Sequence, residues 1–443
     1  MRAAPVRRVL VAGGGGGPAT AVALRFHDSL IREIGAELGA DLDRPERSVD
    51  PAERAEEPVV VTGLAALSPA GTSVAELWDA YRAGTDYGMS EDRLRIGRVD
   101  FDPAAYLPAR QRRRVDRLAL LAVAACQLAL ADAGLHREGD GRASIAPHRG
   151  VERAEEPSRG HRVERPAPRI GVVLGTALGP MENMGRFTLP LPDSGPTLAD
   201  AAVVPNTGTA AAARVVAMLL GLTGVTSTVT ATHAAGAVAL CLARDLLRSG
   251  AADAIVCPAA DVLSPAVVRA YSRLPLFGFG RTDAYTLAES GFALVLERRS
   301  AARARNARIR AELSGYGIAS GARAGGGWDR RGAGVERAMR TALDMAGIAP
   351  NALPAVWANA AGLVAVDWPE RAAIERVFGH PGPRVEAPKR RLGEPVGAGA
   401  HLSVVLALTE WERAGAGGPA LVNSSSLGGT HVALVLDAPA DQR

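Results

Sequence analysis

The segment Thr226–Leu240, TSTVTATHAAGAVAL, predicts a β-strand that passes directly into a helix. The strand part is rich in Thr and Val, and the helix continues to Gly250, a residue type that commonly ends helices. His233 lies at the junction, where unpaired backbone N–H groups and the helix macrodipole favour a negative charge. Such a position suits a nucleophilic thiol, whose pKa falls at a helix N-terminus. The same field lowers the pKa of a histidine, so we expect His233 to be neutral.

Apolar strands and helices alternate on both sides of this segment. We expect Asp116 to cap the helix RLALLAVAACQLALADAGL, which ends at Gly134. Because this helix is apolar almost all round, we place it in the middle of the molecule. Further strands are predicted at PVVVTGLAALSP, RIGVVLGTALG and SGFALVLERR. The alternation is typical of a layered α/β architecture, and its recurrence beyond Ser300 indicates an internal duplication.

The domain organisation follows from these patterns. Residues 1–57 are predicted to be a disordered or accessory leader, because their glycine run does not fit a dinucleotide-binding motif: Pro18 stands at the third glycine position. The N-terminal half spans 58–299 and the C-terminal half 300–443. An exposed insertion is expected at about 137–168, which is rich in Arg, Glu, Pro and Gly.

Composition excludes several classes of protein. The 443 residues carry 51 basic and 47 acidic side chains, a net charge of +4 that is too mixed for an obligate nucleic-acid binder. The longest apolar stretch, Leu118–Ala131, is shorter than the ~20 residues that a bilayer requires. Three cysteines without close pairing indicate a reducing compartment and no metal cluster, and Cys241 is expected in the core. We therefore expect a cytoplasmic protein that binds neither membrane nor nucleic acid.

Several segments resemble, in order and spacing, the β-ketoacyl synthases of the thiolase superfamily. The resemblance extends over about Val59 to Asp437 and includes VVVTGLAALSPAG, DRLALLAVAACQLALADAGL, IGVVLGTALG, TATHAAGA, LAESGFALVLE, NAAG, APKRRLGEPVGAGA and VNSSSLGGT. It implies a thiolase-like α/β fold, in which duplicated αβαβα halves form a five-layered αβαβα unit.

The chain departs from this family at the positions where active members carry their reactive groups. His233 stands where the family has a nucleophilic cysteine, and Ala361 and Glu394 stand where it has two histidines. Leu363 replaces a threonine of the same N-A-H-G-T segment, whereas Lys389, the only lysine in the chain, is retained. Decarboxylative condensation needs a thiolate to hold the acyl group and two imidazoles to assist loss of carbon dioxide. We therefore expect no chain elongation by this protein alone.

In lacking these groups, the chain resembles the chain length factor, or ketosynthase beta subunit, of bacterial type II polyketide synthases. The resemblance implies a heterodimer with a ketosynthase alpha subunit and an acyl carrier protein that delivers acyl-phosphopantetheine, with no resident cofactor or metal. It also implies a dimer contact at 226–231 and a tunnel shaped by the helix after Asp116 and by residues 205–212. Two alternatives stay open: an acyltransferase or malonyl decarboxylase that uses His233, and a homodimeric scaffold that binds acyl carriers.

Three further expectations concern charged residues. Lys389 is predicted to form a salt bridge with Glu394, and Glu289 is expected to support loops near the site. A basic run precedes the helix capped by Asp116 and is interpreted either as a solvated helix entrance or as a docking patch for the acidic carrier protein. Its arginines are Arg110, Arg112, Arg113 and Arg114.

Overall fold

The computed structural model describes residues 57–92, 94–112, 115–135, 168–195, 201–274, 285–321, 329–426 and 428–439. The predictions for the leader and the insertion thus lie outside the described residues, apart from Glu57 and Pro168 at their ends, and so do Arg113 and Arg114.

The strands alternate with helices along the chain, as the sequence predicts. The strands are β1 Val59–Leu67, β2 Met89–Glu91, β3 Leu94–Gly97, β4 Ile170–Gly175, β5 Thr226–Val229, β6 Ala254–Asp261, β7 Thr286–Ala288, β8 Ser290–Arg298, β9 Ala311–Ser320, β10 Ala355–Trp357, β11 Arg384–Glu386, β12 Ala420–Ser425 and β13 Thr430–Asp437. The α-helices are α1 Val74–Ala83, α2 Ala109–Arg112, α3 Arg117–Asp132, α4 Met181–Thr188, α5 Leu191–Ser194, α6 Ala211–Leu220, α7 Ala235–Arg248, α8 Pro265–Ser272, α9 Arg299–Ala304, α10 Ala333–Ala346, α11 Val364–Phe378, α12 Lys389–Leu392 and α13 Gly399–Ala414.

The main sheet is built from two halves with the same topology. Its strand order is β11-β10-β12-β13-β9-β1-β8-β6-β4-β5. In the N-terminal half, β1 pairs antiparallel with β8 and β8 antiparallel with β6, whereas β6, β4 and β5 pair in parallel. In the C-terminal half, β9 pairs antiparallel with β13 and β13 antiparallel with β12, whereas β12, β10 and β11 pair in parallel. The halves join where Val60 and Val61 of β1 pair with β9. The shared order and direction confirm the internal duplication.

Alternation of side chains along the strands divides the apolar residues among separate cores. In β6, Ile255 and Cys257 face a central core that contains α7 and α13, whereas Val256 faces a second core that contains α3 and α6. In β13, Leu434 faces the central core and Val435 a third core with α10 and α11. The result is five layers, with the two halves of the sheet on either side of α7 and α13, which confirms the predicted αβαβα unit.

The position predicted for α3 is wrong, although its cap and its burial are confirmed. Asp116 accepts a hydrogen bond from the backbone N–H of Ala119, and most side chains of α3 are buried. The helix covers the outer face of β1, β6 and β8. It does not lie in the middle of the molecule, which is occupied by α7 and α13. It is apolar all round because α6 covers its other side. Backbone contact with the sheet is so close that a Cβ on Gly63 would lie 2.3 Å from the Ala129 carbonyl oxygen.

Across the described ranges, no helix combines the length and apolarity needed to span a membrane. Cys126, Cys241 and Cys257 are free and buried, and Cys241 lies in the central core as predicted.

Candidate functional site

The connection between β5 and α7 places His233 at the boundary between the two halves. Thr232 has a φ of 44°, an unfavourable conformation for a β-branched residue that the surrounding structure must enforce. The next residue, His233, is only 7% exposed. Its carbonyl oxygen accepts a hydrogen bond from Ser424 Oγ of β12 at 3.2 Å. The turn is therefore held by the C-terminal half of the molecule.

The imidazole of His233 is neutral at physiological pH. Burial, with a smaller effect of the Lys389 ammonium, lowers its pKa to about 3. Its Nδ1 atom has no hydrogen-bond partner among the described residues. A histidine that acts as nucleophile or base is normally oriented by a carboxylate or a carbonyl on its second nitrogen. His233 has the neutral form predicted from the sequence but no such group on Nδ1 in the described ranges.

Lys389 is the centre of a buried polar network. Its Nζ atom donates to Asn359 Oδ1 at 2.7 Å and to Glu394 Oε2 at 3.0 Å, and both members of this ion pair are almost fully buried. The backbone N–H of Ser425 also donates to Asn359 Oδ1. Burial raises the pKa of Glu394, and the Lys389 ammonium counteracts part of that rise. The structure thus contains the salt bridge predicted from the sequence.

Two carboxylates of α11 fix the loop that carries Ala361. Asp367 accepts hydrogen bonds from the backbone N–H groups of Ala361 and Gly362, each at 3.0 Å. Glu370 accepts from the backbone N–H of Asn359 at 2.7 Å, and burial raises the pKa of Glu370 to about 7. The loop is held firmly, but the side chain that it presents is a methyl group.

Ala361 belongs to an apolar cluster that also contains Leu263, Val267 and Tyr285, and Leu363 packs against this cluster. An apolar lining offers neither a proton nor a hydrogen-bond donor to a reacting group. The position therefore contributes shape and excludes water.

Sequence reasoning missed Asp261, which connects the two halves. Its carboxylate accepts from Thr176 Oγ1 at 2.8 Å, from the backbone N–H groups of Ala177 and Leu178, and from that of Gly397 at 2.8 Å. Burial raises its pKa to about 6. The one signal in the sequence is a lone carboxylate at the end of the apolar strand DAIVCPAAD. Asn359, Asp367 and Glu370 were missed for the same reason: their partners are distant or are backbone groups.

Glu289 is fully buried and holds loops together, as expected. It accepts hydrogen bonds from the backbone N–H groups of Val99 and Leu263 and from Arg117 Nη2 at 2.8 Å. Of the basic run, Arg110 is exposed and Arg112 half-buried on α2. They stay candidates for carrier-protein docking.

No group of three or more His, Cys, Asp or Glu side chains suited to hold a metal ion occurs within the described ranges. Lys389, Asn359 and Glu394 are engaged with one another and with backbone. Among the described residues, this arrangement provides a shaped, largely apolar interior and no assembled acid–base pair at His233.

We predict that His233 makes the protein less stable in acid. Below pH 6.5 the unfolded chain binds a proton that folded His233, with a pKa of about 3, does not accept. The free energy of unfolding should therefore fall, relative to His233→Gln, by about 2 kcal/mol between pH 7 and pH 5. Denaturant unfolding of both proteins at the two pH values measures this difference. Parallel pH dependences would contradict the assigned protonation state.

We predict that Lys389→Met destabilises the fold by about 3–5 kcal/mol, because it leaves the Glu394 carboxylate buried without its counter-ion. The double variant Lys389→Met/Glu394→Gln should recover a large part of this loss. Arg371→Gln is a matched control, since Arg371 pairs with Glu375 on the surface and such pairs contribute about 0.5 kcal/mol. Chemical denaturation measures all three. Equal effects of Lys389→Met and Arg371→Gln would show that the buried pair has no special weight.

Family models match most of the chain. The N-terminal domain of β-ketoacyl synthases matches residues 56–302, and the C-terminal domain matches residues 310–414. The ketoacyl synthase beta subunit of the tetracenomycin polyketide synthase from Streptomyces glaucescens is 31% identical over 382 residues, covering 79% of this chain and 85% of that protein. The alpha subunit of the same synthase is 29% identical over 354 residues, covering 73% and 77%.

The solved structures agree with the sequence comparisons on the fold. The ishigamide ketosynthase/chain length factor superposes with a TM-score of 0.68 at 24% identity, covering 86% of this chain and 99% of that one. The chain is thus similar to both the alpha and the beta subunit of one synthase, and overall similarity does not separate these two kinds of subunit. The two domain matches establish that the chain belongs to the β-ketoacyl synthase family, and the duplicated sheet and the structural likeness show that it has the thiolase-like fold of that family.

Proposed function

We propose that this protein is a non-condensing subunit, a chain length factor, that pairs with an active ketosynthase in type II polyketide biosynthesis and shapes its polyketide or acyl tunnel. The observation that carries the proposal is the state of three positions. His233 is buried and neutral, and its Nδ1 atom has no partner in the described part of the chain; Ala361 is aliphatic, and Glu394 is held in an ion pair with Lys389. None of these residues can take the part of the family's cysteine and two histidines.

The chemistry of condensation explains why these changes act together. An acyl group must be held on a thiolate, and the enolate formed by loss of carbon dioxide needs hydrogen-bond donors. The methyl group of Ala361 has no proton to donate. An ionised Glu394 would oppose the negative charge of an enolate rather than stabilise it. The scaffold that surrounds these positions is nevertheless kept intact by Asp261, Glu289 and Lys389.

One of the two edges of the main sheet, the edge formed by β5, supports pairing with a second subunit. β5 is the last strand of the sheet, and in the part of the chain described here no strand pairs with its outer side. Its sequence, TSTV, lacks the charged residues or proline that usually protect an edge from pairing. Val204 and Met218 are two large apolar side chains exposed in the neighbouring segments. This region includes the expected dimer contact at 226–231, and residues 205–212 adjoin it.

The relatives support the choice of partners. One of them is named as the beta subunit of a polyketide ketoacyl synthase and another as its alpha subunit. By analogy, we propose an alpha-subunit partner for this chain and an acyl carrier protein that delivers the acyl group on phosphopantetheine, with no cofactor bound by the chain itself.

We predict that co-expression with its ketosynthase and acyl carrier protein yields a stable one-to-one pair, and that elongation of malonyl units occurs only in this pair. His233→Ala in the pair should leave elongation within about twofold, because His233 lacks an acid–base partner. Product formation by the isolated chain, the isolated ketosynthase and the pair is measured by mass spectrometry.

Other outcomes distinguish the alternatives. Acyl transfer or malonyl decarboxylation by the isolated chain that His233→Ala abolishes would identify an enzyme in its own right. A self-paired dimer that does not bind the ketosynthase would identify a homodimeric scaffold. Either result overturns the proposal.

We predict that Arg110→Glu/Arg112→Glu slows association with the acyl carrier protein by about tenfold at low salt, because complementary charge mainly raises the association rate. The difference should shrink as ionic strength rises. Stopped-flow association measures the rates, and Arg308→Glu, at another exposed arginine, is the control. If the two variants behave alike, the basic run is only a solvated helix entrance.

A further inference from the structure

A pocket of about 430 Å³ lies on the surface between the end of α1, strands β3 and β7, and the segment that includes α12. Among the residues that the structure describes, its lining includes Arg95, Arg390 and Arg391 but only one carboxylate, Asp86. Three guanidinium groups and one carboxylate give the lining a formal charge of +2. A pocket of this volume is in the range that small organic ligands occupy.

The positive charge of the Arg391 guanidinium is available to a ligand. Its Nη1 atom donates to the Tyr81 carbonyl oxygen at 3.2 Å, and its guanidinium lies 5.1 Å from the centre of the Tyr81 ring. In the described ranges it forms no salt bridge. A guanidinium fixed by a carbonyl and an aromatic ring keeps its remaining N–H groups free of any carboxylate and oriented, which favours bidentate recognition of phosphate or carboxylate.

The other two arginines are only partly neutralised. Arg390 donates through Nη2 to Asp367 Oδ2 at 2.6 Å, yet its side chain is 54% exposed, and Asp367 is shared with two backbone N–H groups. Arg95 pairs with Asp86 and also donates to the Gly88 carbonyl oxygen at 3.0 Å. The ion pairs hold both guanidinium groups at the pocket wall.

This pocket is separate from the interior around His233. In α12, Lys389 is buried and points towards Asn359 and Glu394, whereas the next two residues, Arg390 and Arg391, line the pocket. Gly362 and Gly393 also line it, and they precede or follow residues whose side chains face the interior. The polypeptide of these two segments thus forms the wall between the two spaces.

We propose that this pocket binds an anionic small molecule through a phosphate or diphosphate group, with Arg391 as the main contact and Arg390 as the second. The excess of guanidinium groups over carboxylates in the lining favours a phosphate anion, and the pocket leaves room for an attached organic group beside Tyr87 and Leu392. The residues on which the proposed function rests, His233, Ala361 and Glu394, do not line this pocket, so the inference does not rest on the proposed function.

Isothermal titration of the full chain with inorganic pyrophosphate, coenzyme A and pantetheine tests the proposal. Pyrophosphate, coenzyme A or both should bind one-to-one, and pantetheine, which lacks phosphate, should not bind. Arg391→Gln should weaken binding by about tenfold or more, because a hydrogen bond to a charged group has that weight. Arg391→Lys keeps the charge and should lose less. Arg371→Gln, at an arginine 75% exposed on α11, should bind like the original chain.

The melting temperatures of the variants show whether Arg391→Gln is folded, and Arg391→Lys replaces it as the test if it is not. Binding of coenzyme A but not pyrophosphate identifies a ligand whose organic part is also recognised; binding of pyrophosphate alone identifies a free phosphate or diphosphate. Both support the phosphate site if Arg391 is required. The absence of saturable binding by either phosphate compound, or equal losses in Arg391→Gln and Arg371→Gln, would overturn the proposal.

Discussion

The contact on which the rest of the structure depends is the close approach of Gly236, in the first turn of α7, to the segment that begins α13. A Cβ atom at Gly236 would lie 2.7 Å from the Gly397 carbonyl oxygen and 2.7 Å from His401 Nδ1. Only a glycine permits this distance between the two halves. The approach brings the turn that carries His233 to the loops of the C-terminal half, and Asp261 secures it by accepting a hydrogen bond from the Gly397 backbone. The central apolar core closes around this junction.

Around the junction, the molecule keeps the supports of a reactive site while the reactive groups are replaced. The strained Thr232, the buried Glu289 and the Lys389–Asn359 hydrogen bond are all present. A glutamate at position 394 would be costly in an apolar interior, but the Lys389 ammonium compensates for its burial. Alanine at position 361 joins an apolar cluster and needs no partner. Each replacement is therefore compatible with a stable fold, as the proposed non-condensing role requires.

Residues 389–394 take part in both the buried ion pair and the arginine-lined pocket. Residues 389–394 present Lys389 and Glu394 to the interior and Arg390 and Arg391 to the surface, because a short helical turn points successive side chains in different directions. Only a few backbone atoms of this segment therefore separate the buried ion pair from the arginines of the pocket. The arginine-lined pocket and the buried ion pair are chemically unlike, yet they share one supporting segment.

The sequence alone determined the layered α/β class, the duplication and the strand–turn–helix at His233, since these follow from local periodicity and from motifs in order. The salt bridge of Lys389 was a hypothesis from the family resemblance, and the structure contains it. It placed α3 wrongly, because an all-round apolar helix is equally typical of a central layer and of an outer helix covered by a neighbour. Only the tertiary structure revealed Asp261, Asp367 and Glu370 as supports, because their partners are mostly backbone N–H groups, which every residue except proline has. The pocket around Arg391 likewise depends on segments more than 280 residues apart, such as those of Gly97 and Gly393, and no local pattern records that meeting.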